Sequence, residues 1–243
     1  MRKDPAMKTV NISIVAKATV ATALAAGLSL GLASQADASV GGTMFGDPAA
    51  AAKYWRHQNY DDCAIMSSAD VIGQITGKLP SERAIIKVAQ STPSTSHPGS
   101  IYIKPTDKND PNSGMGTNPE DLPTLLAHYG VHGVNTDSDS AAQTGVATGM
   151  DALEQYLGSG HAVIVGVNAE MIWNEPIENK GSDGQPRADH AVVVTGVDTA
   201  NGVVHLNDSG NPDGRDEQIP LETFVKAWAT SHYFMTVTQE THK

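Results

Sequence analysis

The sequence predicts an α+β fold, with helices gathered in the first half and an antiparallel sheet in the second. Two observations carry this. From Cys63 to Leu157 the apolar residues recur at helical spacing inside segments with recognisable caps. From His161 onward they form short, continuous runs rich in β-branched residues. Helices precede strands and do not alternate with them, which argues against a parallel α/β sheet.

The first 38 residues stand apart. Arg2, Lys3 and Lys8 form a positive start, and Ala18 to Ala33 is an apolar run broken only by Thr, Gly and Ser. Sixteen residues is short for a membrane span and suits the apolar region of a signal peptide. Ala36-Asp37-Ala38 gives a small-x-small cleavage pattern, so residues 1–38 are expected to be removed before Ser39. The mature protein is then expected outside the cytoplasm, secreted or in the cell envelope. The leader holds four Lys/Arg and two Asp/Glu of the chain's 16 and 27. The remainder keeps 12 and 25, a net charge of −13, which disfavours nucleic acid and anionic membrane surfaces as partners. No second apolar run approaches spanning length, so no integral membrane domain is expected after cleavage.

Residues 39–53 read as an irregular lead-in and residues 54–240 as one domain, long enough for a sizeable core. Ile65, Ala69, Ile72 and Ile75 give one face of a helix from Cys63, with Asp61 or Asp62 as its cap and Gly77 as its stop. Pro80-Ser81-Glu82 opens a second helix, ended by Thr92-Pro93. Residues 93–118, rich in Ser, Thr, Pro, Asn, Asp and Gly, read as a long loop of the kind that often serves function. Asn118-Pro119-Glu120-Asp121 opens a third helix, with Pro123 keeping its first turn irregular. Thr148 to Asp151 reads as a capping box for a helix through Leu157. Strands follow at His161–Val167, Ala191–Val197, Val203–Leu206 and Tyr233–Val237, and a short helix at Ile219–Trp228.

Cys63 is the only cysteine, in a chain expected to meet oxidising conditions where cysteines usually pair. It lies at a helix start with Gln58 five residues upstream, a layout suited to a thiolate nucleophile. A base is then needed among nine histidines. His190 stands out: it follows Asp189 at the mouth of a strongly apolar strand, and the partner strand ends in Asn207-Asp208. If Val197 faces Val203 across the turn, Asp208 faces Val192, two residues from His190 on the same sheet face. Such diagonal neighbours lie about 7–8 Å apart. Asp208 is the preferred orienter, and Asn207 replaces it if the register slips by one.

The order Gln58, Cys63, His190, Asp208 resembles that of the papain-like cysteine peptidases. More closely it resembles the bacterial double-glycine peptidase-like family, whose founding members trim bacteriocin leaders. The matching stretches are Gln58–Ser68, Gly116–Leu122, Gly160–Gly166, Asp189–Asp198 and Val204–Asp208, which together thread most of residues 54–238. Ala64 stands where the family usually has Gly, and the Gln-to-Cys gap is on the short side. The resemblance implies a papain-like fold, with the nucleophile helix of an N-terminal helical part packed on the C-terminal antiparallel sheet.

It also implies roles. Cys63 would attack a peptide amide, His190 would hold the thiolate and protonate the leaving amine, and Asp208 would orient the imidazole. Gln58 and the Cys63 N–H would bind the oxyanion, where losing one donor costs roughly 10²–10³ in rate. The substrate would be a peptide or protein, with Trp173 and the 93–118 loop lining the groove. No metal or cofactor is expected: the acidic loop 208–217 fails the EF-hand spacing. Because a fold does not fix a function, two competing expectations stand. One is an inactive envelope binding or scaffold module, and the other is a cell-wall amidase or acyltransferase.

Overall fold

A computed structural model describes residues 42–104, 106–107, 114 and 116–242. The expected signal peptide, residues 1–38, lies outside the described residues. The lead-in is more regular than its composition suggests. Strand β1, Met44–Gly46, is followed by helix α1, Pro48–Ala51, and a 3-10 turn, Ala52–Tyr54. The Asp47 carboxylate accepts from the Ala50 N–H, and Pro48 sits in the first turn, where its missing N–H costs nothing.

Helix α2 spans Cys63–Thr76 and stops at Gly77, whose φ of 72° is the left-handed conformation a glycine adopts without steric cost. Helix α3, Glu82–Ser91, is capped by Ser81, whose hydroxyl accepts from the Ala84 N–H. The long loop contains a two-stranded ribbon, β2 (Tyr102–Ile103) against β3 (Gly116–Thr117). The turn Pro119–Asp121 is 3-10, and helix α4 runs Leu122–Ala127, so Pro123 leaves the first turn irregular as its sequence predicts.

Strand β4, Gly133–Thr136, and the short helix α5, Ala141–Thr144, follow. Helix α6, Met150–Gly158, begins without the expected capping box. Thr148 Oγ1 instead donates to the Tyr233 carbonyl at 2.6 Å, tying the loop to a distant segment. Then come β5 (His161–Val167), α7 (Ala169–Ile172), β6 (His190–Asp198) and β7 (Val203–Asn207). The chain ends with β8 (Arg215–Pro220), α8 (Leu221–Ala229) and β9 (Met235–Thr241).

Seven strands form one antiparallel sheet in the order β4-β9-β5-β6-β7-β8. The first strand, β1, pairs with the far end of β6. Both faces are covered. Helices α2, α3 and α4 bury Ile65, Ile72, Leu125 and Leu126 against Ala162, Ile164 and Val193. On the other face Leu153, Phe224 and Trp228 meet Val163, Val165, Val192 and Val194. Burial on both faces explains why β5 and β6 read as unbroken apolar runs rather than alternating ones.

The β6–β7 register is the detail that matters most. Next to the turn Asp198 pairs with Val203 and Val197 with Val204, one step away from the expected pairing. Between Val194 and Gly196 the register shifts, leaving Thr195 as an extra residue in a β-bulge. Beyond it Val194 pairs with Leu206 and Val193 with Asn207. An unbroken ladder from the turn would set Asp208 opposite Val193, on the face away from His190. The bulge sets it opposite Val192 instead.

Candidate active site

Cys63 is the first residue of α2, half-buried, and its backbone N–H and that of Ala64 have no acceptor within the helix. Asp62 occupies the cap position but does not cap: its side chain makes no bond to the first turn. Its carboxyl is turned inward, only 2 % of the residue is exposed, and it faces the Glu82 carboxyl and the Tyr60 backbone. Burial, and then the nearby Glu82 carboxylate, push its pKa up to about 8. Glu82 accepts from the Asn59 backbone N–H and from Asn59 Nδ2, both at 2.6 Å, which ties the loop before Cys63 to the start of α3.

His190 opens β6 with 8 % of its surface exposed, and Asp208 follows β7 fully buried. His190 Nε2 and Asp208 Oδ1 are 2.6 Å apart. Asn207 is engaged elsewhere. Its Nδ2 donates to the Ala51 carbonyl at 3.1 Å and to Asp70 Oδ2 on α2 at 2.8 Å, so the choice between the two residues falls to Asp208. With Nε2 taken, Nδ1 is the ring nitrogen left for Cys63, which lines the same cleft. Burial alone would lower the His190 pKa. Attraction to the Cys63 thiolate and the bond to Asp208 outweigh it and raise the value well above the ordinary one. Asp208 shows the converse: burial raises its pKa, but bonds from His190, Trp173 and the Gly210 N–H hold it below the usual carboxylate range.

Trp173 stands on the acid–base pair itself. Its Nε1 donates to Asp208 Oδ2 at 2.9 Å, and its ring centroid is 5.2 Å from that of His190. Gly210 closes the other side. Its N–H donates to Asp208 Oδ1 at 2.8 Å, and a Cβ there would lie 2.9 Å from His190 Cε1 and 3.1 Å from the Trp173 ring. Only glycine lets the backbone pass this close. Trp55, not singled out from sequence, donates Nε1 to the Asp208 carbonyl at 2.6 Å.

Gln58 is laced to the same segment. Its N–H donates to the Ser209 carbonyl at 2.9 Å, and its Oε1 accepts from Ser209 Oγ at 2.8 Å. Its Nε2 donates to the Tyr60 carbonyl at 2.9 Å. The amide is thus fixed in orientation, with one of its two N–H bonds committed. The cleft beside Cys63 and His190, about 270 Å³, is walled mainly by apolar residues such as Leu122, Ile164 and Phe234. The 93–118 loop reaches it through Thr117.

A helix-borne thiol against one end of an antiparallel sheet, with a buried His–Asp pair on adjacent strands, defines a papain-like α+β fold. The chain belongs to the Peptidase_C39 like family, whose pattern matches residues 53–234. It is 74 % identical over 221 residues to the uncharacterized protein Rv1268c of Mycobacterium tuberculosis (strain ATCC 25618 / H37Rv), covering 90 % of this chain and 95 % of that protein. The same identity and coverage hold for the uncharacterized protein Mb1299c of Mycobacterium bovis. Among solved structures, a putative C39-like peptidase from Bacillus anthracis shares the fold. Its TM-score is 0.52 at 18 % identity, over 78 % of this chain and 95 % of that one.

Proposed function

We propose that the chain is an exported thiol peptidase that cleaves peptide amides with Cys63 as nucleophile. The observation that carries the proposal is the 2.6 Å bond between His190 and Asp208, on an imidazole whose other influential neighbour is Cys63. The bond fixes the ring so that Nδ1 faces the thiol, and the raised His190 pKa favours an imidazolium beside a thiolate. The thiolate attacks the carbonyl carbon. The oxyanion then meets the Cys63 N–H and the second N–H of the Gln58 amide. The C–N bond breaks as His190 gives its proton to the leaving amine, and a thioester remains. Water, deprotonated by His190, attacks the thioester and releases the acid and the thiol.

Export is supported by the leader-like composition of residues 1–38. A peptide library incubated with the wild type and with Cys63→Ala tests the reading. New amide cleavages are expected with the wild type only. Identical product profiles from the two proteins would refute it and favour the scaffold alternative.

A further inference from the structure

The cleft beside the nucleophile has a shaped floor. On the sheet face that α2 and α4 cover, β5 presents Ala162, Ile164 and then Gly166, and β6 presents Val193 and then Ala191. Ile164 pairs with Val193, and both are buried under the helices. Gly166 pairs with Ala191, and both are only half-buried. The side chains of the sheet therefore shrink where the helical cover ends. The space above them is the cleft of about 270 Å³ that also contains Cys63 and His190.

The backbone does not require glycine at position 166, because its φ lies outside the left-handed region. A Cβ there would stand 3.5 Å from Ser231 Cβ and 3.7 Å from Phe234 Cδ1, which are ordinary contact distances. A glycine inside a strand weakens it and often marks close approach by a ligand. Phe234 stands beside this floor and, among the described residues, packs into neither hydrophobic core. Its carbonyl accepts from Trp228 Nε1 at 2.8 Å and from the Gly166 N–H at 3.4 Å. The two residues before it, His232 and Tyr233, have φ of 57° and 59°. Left-handed backbone is costly for such residues and is concentrated at ligand clamps and active sites.

The chemistry of the occupant follows from the lining. Leu122, Ile164 and Phe234 make it apolar, and no Lys or Arg among the described residues contributes. The Ser231 hydroxyl is already engaged, 2.7 Å from the Gly166 carbonyl and 2.8 Å from that of Trp228. Asp189 lines the cleft from an exposed position, with Oδ1 accepting from the Ala169 N–H at 3.0 Å, and Thr117 adds one neutral hydroxyl. An apolar cavity of about 150 Å³ holds a benzene ring, so this cleft has room for a leucine or phenylalanine side chain.

We infer that the cleft is a subsite for a large apolar side chain on a substrate residue flanking the scissile amide, and that Gly166 sets its depth. The inference rests on the thiol-peptidase reading above and names its substrate class. Because Cys63 and His190 line the same cleft, a side chain seated on Gly166 belongs to a residue close to the attacked carbonyl. Burying such a side chain favours it over alanine by about tenfold or more.

The first readout is kcat/KM for peptides that differ only in Leu, Ala or Gly beside the cleaved bond. Leu is expected to be preferred over Ala by about tenfold or more. In Gly166→Val, whose branched side chain suits a strand and fills the floor, the preference is expected to disappear or reverse. Gly166→Ala, which the contact distances accommodate, is expected to reduce it about threefold or more and gives a result if the valine variant fails to fold. Equal rates for the three peptides, a preference for Gly, or a Leu preference unchanged by these substitutions would overturn the subsite and leave the peptidase reading intact.

The second readout does not need cleavage. Cys63 is converted to a mixed disulfide with benzyl or methyl methanethiosulfonate, and the ratio of the two rates is divided by the same ratio for N-acetylcysteine. The quotient is expected to be about ten or more in the wild type and to fall towards one in Gly166→Val. This pattern without cleavage of any peptide supports the subsite and sinks the peptidase reading. A wild-type quotient of one overturns the subsite.

Discussion

Trp173 donates its indole N–H to Asp208 Oδ2 at 2.9 Å while its ring lies 5.2 Å from that of His190. One side chain thus fills a carboxylate acceptor and shields the His–Asp bond from water. Trp173→Phe keeps an aromatic ring and deletes the donor. Hydrogen bonds to charged groups contribute about 1.5–3 kcal/mol, so the unfolding free energy at pH 7 is expected to fall by about that much. The Asp208 pKa is depressed, so this contribution is present above the unfolded carboxylate value and is lost as pH falls through the folded one. The difference between the two proteins in urea titrations is therefore expected to persist at pH 5 and to shrink in stronger acid. A variant as stable as the wild type at pH 7 would contradict this.

His190 is expected to remain protonated above pH 7, where an ordinary imidazole of pKa about 6.5 is mostly neutral. Burial opposes its charge, so the rise depends on Cys63 and Asp208. The stabilisation linked to this raised pKa is complete below the unfolded value and disappears as pH rises through the folded one. Titration of the His190 Cε1–H resonance in the wild type and in Cys63→Ala separates the two contributions. The midpoint is expected to drop in the variant, and an unmoved midpoint would remove the thiolate as its cause.

Gly210→Ala places a methyl group 2.9 Å from His190 Cε1 and 3.1 Å from the Trp173 ring. The contact with the buried imidazole is under 3.0 Å, so the ring has to shift. A misplacement of this size near reacting atoms can cost about 10²-fold in rate. The expected result is a fall in kcat of that order on whichever peptide the wild type cleaves, with circular dichroism unchanged. Wild-type kcat would show that the ring has room to spare.

Asp70 is buried on α2, and its pKa is pushed up to about 7 by burial, against hydrogen bonds from Gln74 and Asn207. Between about pH 4 and 7 the folded chain therefore binds more protons at this site than the unfolded one. Its share of stability falls as pH rises, at most about 1.4 kcal/mol per unit. Asp70→Asn does not titrate, so the variant is expected to show a shallower decline across urea titrations at pH 4.5, 5.5 and 6.5. Parallel curves for the two proteins would refute this assignment.

The central fold was legible because its signals are local. Strand β5 spans the residues its apolar run predicts, and α2 begins at Cys63 and ends before Gly77 as read. Strands β1, β4 and β8 were not legible. Arg215-Asp-Glu-Gln-Ile-Pro220 carries four polar residues in six and becomes a strand only by pairing along β7. The placement of Asp208 was reached from a turn register that is one step out, and the bulge at Thr195 restores the expected pairing at the site end. A bulge leaves no mark in an apolar run. Trp173 was read as a groove residue, and no spacing rule links it to Asp208. That contact needs helix α7 folded back over the end of β7.

The Asn207 amide has one further consequence. It bonds to Asp70, a residue of the helix that begins with Cys63, while the next residue in the chain, Asp208, holds His190. Together with the Ser67 hydroxyl, which donates to the Ala191 carbonyl at 3.0 Å, it ties the helix that carries the thiol to the strands that carry the imidazole and its carboxylate. The amides of the first two turns of α2 and those of β7 are therefore expected to exchange with solvent deuterium as one cooperative unit, slower than those of the β2–β3 ribbon.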